Sequence, residues 1–333
     1  MSASTCRAIH ALPTAGHTEC DTGVPPRTTA LRYHPSLTTT VPREYVHRAS
    51  VSEVMLTGWE RVDGQRFTVT AQWPRGHSFY STVDGCHDPL IAAETIRQTG
   101  LLLAHAEFGV PLDHHLLVGE LDVTIRPAHF RVGRTPATLQ LDVTCSKMEE
   151  RRGALTRCRV DVDIRRDGHL AATGGGSFAC IGPKVYQRLR TTKILTGERA
   201  PAMTPTAPET PRAVGRTSPA DVVLSPTGRP GSWHLRVDTR HPILFDHPVD
   251  HVPGMLLLEA ARQATTATLG HASLPLAVTS EFTRYVEVGT ACVIEARRLP
   301  VSGTDHEEVV LVTARQDGTA AFHATVTMAS PTA

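Results

Sequence analysis

The stretch "HVPGMLLLEAARQ" (His251–Gln263) decides the fold, because the chain writes it twice: "HDPLIAAETIRQ" runs from His87 to Gln98. Shifting the sequence by 165 residues lays Glu94, Arg97 and Gln98 on Glu259, Arg262 and Gln263. At about 100° per residue, Arg262 sits about 60° to one side of Glu259 and Gln263 about 40° to the other, so the three polar groups form one narrow stripe. Leu256, Leu257, Leu258, Ala260, Ala261 and Ala264 cover the remaining sides, as Ile91, Ala92, Ala93, Ile96, Leu102 and Leu103 do in the first copy. A helix apolar most of the way round is a buried one. The sequence therefore predicts two buried central helices, each carrying E-x-x-R-Q towards a polar edge or cleft.

The repetition extends downstream. "VGELDVTI" (Val118–Ile125) follows the first helix much as "VTSEFTRYVEVG" (Val278–Gly289) follows the second. "RRDGHLAATGGGSFACI" and "RQDGTAAFHATVTMA" each set Asp-Gly between apolar runs (Asp167-Gly168, Asp317-Gly318), the signal for a two-residue type I′ hairpin. "LQLDVTCSKM", "CRVDVDIRR", "ACVIEARRL" and "EEVVLVTARQ" alternate apolar and polar residues like half-buried strands. The Gly174–Gly176 run has no Lys-Ser/Thr after it, and reads as a bulge or close backbone approach inside a strand. One long helix against five or six antiparallel strands is the hotdog arrangement. The expected fold is α+β: two tandem hotdog domains forming a pseudo-dimer, their sheets joined edge to edge so that neither leaves that edge open.

Boundaries follow from composition. Residues 1–45, rich in Thr, Pro and small residues and lacking the apolar core of a signal peptide, are expected to be a disordered leader. Residues 46–190 form the first domain and 233–330 the second. The Pro/Thr-rich range 191–232 is expected to be a linker. In 333 residues, 40% hydrophobic and 20% charged, 34 basic residues balance 33 acidic ones to a net charge of +1, which gives no reason to expect nucleic acid or an anionic membrane as partner. Seven scattered cysteines without a C-x-x-C pair suit neither a disulfide framework nor a zinc site and point to a reducing cytoplasm. No metal and no cofactor is expected.

A lone i,i+3 Glu–Arg pair would be an ordinary helix-surface interaction worth about 0.2–0.5 kcal/mol. Two halves that have diverged almost everywhere else, yet both keep the stripe, point to function. A carboxylate in an apolar cleft can act as general base, and a fixed guanidinium can hold an anion. Pro253-Gly254 leaves free N–H groups at a positive helix end, suited to polarising a carbonyl. In the first half Asp88-Pro89 stands there as a structural N-cap and first helical residue, so the two sites are not equivalent. His77, His87, His247 and His251, just upstream of the helices, are candidates for proton transfer or substrate anchoring.

At "VHRASVSEVMLTGW", "AQWPRGHSFY", "HDPLIAAETIRQTGLLLAH", "VPLDHHLLV" and "ILFDHPVDHVPGMLLLEAARQ" the chain resembles the AfsA family, double-hotdog enzymes of A-factor-type γ-butyrolactone biosynthesis. The resemblance covers roughly Val46–Ile181 and Trp233–Met328. It implies transfer of a β-ketoacyl group from an acyl carrier protein thioester to the hydroxyl of dihydroxyacetone phosphate, giving a β-keto ester on the way to a butyrolactone or related furan signal. It also implies Glu94, Arg97, Glu259 and Arg262 as catalytic residues. The expected substrate-binding set is Gln98, Gln263, His87, Asp88, His247, His251, Gly254 and Arg75. A more distant resemblance is to β-hydroxyacyl carrier-protein dehydratases, which pair the helix Glu with a His fourteen positions earlier. Tyr80 and Phe245 occupy those positions here, against dehydration. A hotdog thioesterase and a non-catalytic acyl-ligand sensor remain the alternatives, and the chain is expected to act as a monomeric pseudo-dimer or homo-oligomer.

Overall fold

In a computed structural model, residues 38–194, 206–300 and 307–330 are described, with 191–194 described as backbone only. The first half runs β1 (Leu56–Asp63), β2 (Arg66–Trp73), α1 (Pro89–Ala106), β3 (His115–Ile125), the one-turn α2 (Pro127–Phe130), β4 (Ala137–Arg151), β5 (Ala154–Arg166), β6 (His169–Ile181) and α3 (Pro183–Ile194). The second runs β7 (Leu224–Pro226), β8 (Ser232–Leu235), α4 (Gly254–Leu269), β9 (Pro275–Phe282), β10 (Cys292–Leu299), β11 (Glu307–Gln316) and β12 (Thr319–Ala329).

All twelve strands form one antiparallel sheet in the order β1-β2-β4-β5-β6-β3-β9-β12-β11-β10-β8-β7. That order reads the same from the middle outward in both halves. The expected edge-to-edge junction is β3 against β9, with Glu120 opposite Glu281 and Val123 opposite Val278. Both Asp-Gly pairs are two-residue turns with positive φ at each position (51° and 78°, 52° and 73°), the geometry of type I′. The glycine run in β6 is a close approach: a Cβ on Gly174 would lie 2.2 Å from the Asp122 carbonyl oxygen and 2.8 Å from Ile96 Cδ1 on α1.

Each central helix lies on its own half of the sheet, α1 against β3, β5 and β6 and α4 against β10, β11 and β12, and the two helices touch. Asp88 caps α1 as expected, its Oδ1 accepting the Leu90 N–H at 2.9 Å with Pro89 at the first helical position. Eleven of the twelve residues from Leu90 to Leu101 are buried, Arg97 being the exception. α4 ends at Gly270, which takes the left-handed C-cap conformation (φ 81°).

Two segments differ from expectation. The range read as a linker is folded from residue 206 to 232: it contains 3₁₀ turns at Pro211–Val214 and Pro219–Asp221, β7, and the buried Val214, Val222, Val223 and Leu224. Its Pro and Thr content marks tight turns here, and its few Val and Leu residues supply the apolar anchors. The end of the expected leader is likewise folded, with Val41 buried and a 3₁₀ turn at Arg43–Val46. Residues 191–194, also expected as linker, are the end of α3; residues 1–37 and 195–205, the rest of both expectations, lie outside the described residues.

Candidate active site

Each E-x-x-R-Q stripe forms a closed ionic clamp, and each clamp has a member from before β1 or β7 that the helix motif does not show. In the first, Glu94 accepts hydrogen bonds from Arg97 (Nε to Oε2 and Nη2 to Oε1, both 2.8 Å), from Gln98 Nε2 at 2.7 Å and from Arg48 Nε at 3.0 Å, with Arg48 Nη2 at 2.6 Å. In the second, Glu259 accepts from Arg262 Nε at 3.0 Å, Arg262 Nη2 at 2.5 Å, Gln263 Nε2 at 2.5 Å, and Arg216 Nε and Nη2 at 2.9 and 2.7 Å. Each Gln then ties the helix to the preceding segment. Gln98 accepts the Met55 N–H and donates to the Glu53 carbonyl; Gln263 does the same with Val223 and Asp221. Both carboxylates are completely buried. Burial alone would raise their pKa, but the paired guanidinium charges and the hydrogen bonds outweigh it and hold each at about 2. A carboxylate that acidic, with five donors on it, is a poor proton acceptor. The sequence made Glu94 and Glu259 candidate bases; the geometry suits them to holding arginines in place.

The clamps also bind the halves together. Arg48 Nη1 donates to the Ile243 carbonyl at 3.1 Å, and Arg216 Nη1 to the Phe79 carbonyl at 2.5 Å, each crossing to the other half. The two acceptor loops are built alike. His77 Nδ1 accepts the N–H groups of Phe79 and Tyr80, and His241 Nδ1 those of Ile243 and Leu244. Their Nε2 atoms face Glu53 and Asp221, each at 3.3 Å. His77 is thus occupied in holding a loop. The signal that would have exposed Arg48 and Arg216 is a second repeat, "VHRASVSEVML" (Val46–Leu56) against "VGRTSPADVVL" (Val214–Leu224) at a shift of 168, hidden because the second copy lies in the Pro/Thr-rich range.

Beyond the clamps the two sites diverge. Around Arg97, whose side chain is 17% exposed, His47 Nε2 lies 2.8 Å from His105 Nε2, and His247 and His115 are close enough to act on His47 electrostatically. Burial, then His105, Arg97, His247 and His115 in that order, push His47 down to about 3. The loop before α4 closes on this region: Asp246 accepts the N–H groups of Ala49 and Ser50 at 2.5 and 3.1 Å, and His247 follows it. The helix end that follows has no side-chain cap. Pro253 is the N-cap of α4 with no side-chain cap bond, and Gly254 is its first residue, where a Cβ would approach the Phe282 ring to 3.2 Å.

The second site lacks both imidazoles at the same points. Gly215 replaces His47, and a Cβ there would sit 3.2 Å from Arg262 Nη1; Gly270 stands where α1 has His105. Arg262 is only 5% exposed. The facing helix end is α1, whose cap Asp88 is buried 3.9 Å from Arg216 Nη2; burial pushes the Asp88 carboxyl up against the pull of Arg216 and Arg262. A carboxylate thus stands where an incoming anion would have to bind. His87, just before it, is packed among Trp73 and Phe130 and pushed down to about 4 by burial. Arg75 is exposed and donates to the Gly133 carbonyl at 3.1 Å, in neither clamp.

His251 lies three residues before Gly254, with its Nδ1 2.8 Å from Asp250 Oδ1. Cys86, Cys145, Cys158, Cys180 and Cys292 are buried and unpaired, and burial pushes their thiols up, to about 11 for Cys158 and about 12 for Cys145, Cys180 and Cys292. None is suited to form a thiolate nucleophile. Among the described residues no group of three or more His, Cys, Asp or Glu side chains is arranged to hold a metal ion, and no helix is long and apolar enough to cross a membrane.

With this geometry the chain is similar to proteins of one family. It matches the A-factor biosynthesis hotdog domain twice, over residues 29–182 and 199–330. A 2-oxo-3-(phosphooxy)propyl 3-oxoalkanoate synthase of Streptomyces virginiae is 50% identical over 288 residues, covering 86% of this chain and 96% of that protein. The enzyme of the same name from Streptomyces griseus is 44% identical over 282 residues, covering 84% and 92%. Among solved structures, an acyl-ACP thioesterase from Bacteroides thetaiotaomicron aligns with a TM-score of 0.49 at 12% identity, covering 78% of this chain and 96% of that one. By its double match and by its likeness to these synthases along nearly their whole length, the chain belongs to the AfsA family of A-factor biosynthesis hotdog proteins.

Proposed function

We propose that this chain is a 2-oxo-3-(phosphooxy)propyl 3-oxoalkanoate synthase whose working site is the one on α1. The name describes an ester, a 3-oxoalkanoate on the hydroxyl of dihydroxyacetone phosphate. Its formation is acyl transfer from a thioester, with an acyl carrier protein as the donor and a γ-butyrolactone-type or related furan signal as the destination. The 50% identity to the Streptomyces virginiae synthase supports the reaction. The observation that carries the choice of site is the asymmetry between two otherwise matching clamps. The α1 clamp borders four imidazoles and faces an uncapped helix end, whereas the α4 clamp is packed shut against a capped one.

In this reading Glu94, Arg48 and Gln98 are positioning residues that fix the Arg97 guanidinium. Arg97 and His247 offer donors to the phosphate of dihydroxyacetone phosphate; His47, neutral with its Nε2–H on His105, adds a donor once protonated. The N–H groups at the start of α4 receive the thioester carbonyl oxygen, so that charge developing on it meets the positive helix end. Glu259, Arg216, Arg262 and Gln263 form the structural counterpart that locks the second half to the first. The sheet already joins the two halves, so one chain suffices as a pseudo-dimer. Buried free cysteines fit a cytoplasmic setting.

The test is to incubate the purified chain with a β-ketoacyl thioester, carrier-bound or as a pantetheine mimic, and dihydroxyacetone phosphate, and to read the products by mass spectrometry. The phosphorylated β-keto ester is expected. Free β-keto acid with or without acceptor would make the chain a thioesterase, and an untouched thioester would make it a binding protein.

A further inference from the structure

Ester formation needs a group that takes the hydroxyl proton, and the clamp carboxylate is unsuited to that. At the start of α4 the structure holds a second titratable cluster with the right construction. Asp250 Oδ1 lies 2.8 Å from His251 Nδ1 and accepts the Tyr186 hydroxyl at 2.6 Å; its Oδ2 accepts Arg190 Nε at 2.9 Å. Arg190 also donates to the Asp250 carbonyl and to both Glu287 carboxylate oxygens, each at 2.8 Å. Although burial would raise the Asp250 carboxyl, the His251 and Tyr186 hydrogen bonds and the Arg190 charge hold it below the ordinary carboxylate range. An ionised Asp250 requires its His251 partner atom to carry the proton, so Nδ1–H is the donor and the neutral ring presents its lone pair at Nε2. Among the described residues no partner occupies Nε2, and the side chain is 26% exposed.

The ring is held from several sides. The backbone of His251 bridges to Glu287, the next residue's N–H donates to the Val286 carbonyl at 2.8 Å, and the Tyr285 ring stands edge-on at 4.8 Å. Tyr186, which carries the second hydrogen bond to Asp250, stacks on His115 at 3.5 Å, and His115 belongs to the imidazole group around Arg97. Tyr186 and Arg190 come from α3, an element without a counterpart among the described residues of the second half. At the matching turn of the first half the chain has Gly85, Cys86 and His87, and no such pair.

We propose that His251 is the general base of the transfer, oriented by Asp250, Tyr186 and Arg190; this rests on the acyltransferase reading above. Its Nε2 takes the proton of the acceptor hydroxyl as that oxygen bonds to the thioester carbon. The oxyanion so formed collapses, the carbon–sulfur bond breaks, and the imidazolium returns the proton to the departing thiolate. Thioester and alcohol become ester and thiol, with no other reactant consumed. Asp250, Tyr186, Arg190, Glu287, Tyr285 and His115 are the titratable or charged groups facing the ring.

The experiment compares the wild-type chain, His251→Gln, His251→Gly with and without added imidazole, and a chain carrying histidine methylated on Nε2 at position 251. Substituting Gln should lower kcat for ester formation about 10²–10⁴-fold, with KM for both substrates within about threefold. Imidazole should restore part of the rate to the Gly variant. The methylated residue keeps the Nδ1–H bond to Asp250 and loses the acceptor, so it should be as slow as the Gln variant even if Gln perturbs folding. A methylated or Gln chain with wild-type kcat, or a loss confined to KM, overturns the assignment. No ester from the wild type would instead overturn the reading on which it rests, so the two failures are distinguishable.

Discussion

Replacing Arg48 with Met removes one of the two guanidiniums on a carboxylate that has no solvent contact. Glu94 would lose the Arg48 Nε and Nη2 contacts at 3.0 and 2.6 Å, and the Ile243 carbonyl of the other half would lose its donor. Breaking a buried, hydrogen-bonded pair by removing one partner costs about 3–5 kcal/mol, because the remaining charge stays buried without full compensation. At about 2–4 °C per kcal/mol for a domain of this size class, the melting temperature should fall by roughly 10 °C. Glu94→Met should cost a similar amount, since it leaves Arg48 and Arg97 unpaired. The double variant should recover part of the loss, with a coupling energy of about 1–3 kcal/mol, because it orphans Arg97 alone and not Arg48 or Glu94. The assay is denaturant unfolding of the four proteins followed by fluorescence of Trp59, Trp73 and Trp233 and by circular dichroism. Because Arg216 and Glu259 repeat the geometry, the same cycle there should give energies of the same size. An Arg48→Met chain within 1 kcal/mol of wild type, or a cycle with no coupling, would refute the claim that the clamps are structural cross-links.

Acid should weaken the fold in two windows. His47, held at about 3 against 6.5 unfolded, lets the unfolded chain bind a proton that the native one refuses, so stability falls as pH drops from about 6.5 towards 3. Glu94 and Glu259, at about 2 against 4.5, add a further loss as pH falls from about 4.5 to 2. Unfolding midpoints measured from pH 8 to pH 3 should show a decline that begins near pH 6.5, and a flat profile down to pH 4.5 would contradict it. Phosphate-bearing substrate should raise the His47 pKa, read by the shift of its ring protons in NMR. Gly174→Ala should cost more than about 3 kcal/mol or prevent folding, since its Cβ would meet the Asp122 carbonyl at 2.2 Å, backbone that cannot swing aside. Native protein treated with iodoacetamide at neutral pH should keep its transfer activity, because the five described thiols are buried and protonated.

Much of the fold was legible because it follows from periodicity and turn chemistry. The two apolar helices, the alternating strands and both Asp-Gly turns each have a local cause. An edge-to-edge junction followed from duplication, while the strands that form it, β3 and β9, come from the structure. The 206–232 segment was not legible for the opposite reason. Pro211, Pro219 and Pro226 read as punctuation, and only long-range packing reveals that Arg216 must reach Glu259, 43 residues away. The stripe was legible as chemistry, but what surrounds its carboxylates was not. A sequence shows that Glu94 is near Arg97, but not that Arg48 saturates it from outside the helix. His251 was visible as a candidate, whereas its orientation depends on Tyr186 and Arg190 from a helix more than sixty residues earlier.

Together these features divide the labour between two copies of one motif. Duplication supplied two clamps and two helix ends. His47 and His105 border the first clamp, where the second has Gly215 and Gly270 and meets the buried cap Asp88. Holding both halves in a single sheet fixes the uncapped end of α4 relative to the Arg97 stripe without a subunit interface.

The most direct test is a comparison of Arg97→Lys with Arg262→Lys, measured as kcat/KM for dihydroxyacetone phosphate at saturating β-ketoacyl thioester. Lysine keeps the charge on each buried glutamate but loses the planar fork that grips a phosphate in two places. Arg97→Lys is expected to lose about 10–100-fold, equivalent to about 1.4–2.8 kcal/mol, while folded Arg262→Lys stays within about threefold of wild type. An equal loss in both, or a loss only in Arg262→Lys, would contradict the assignment of the reaction to the α1 site.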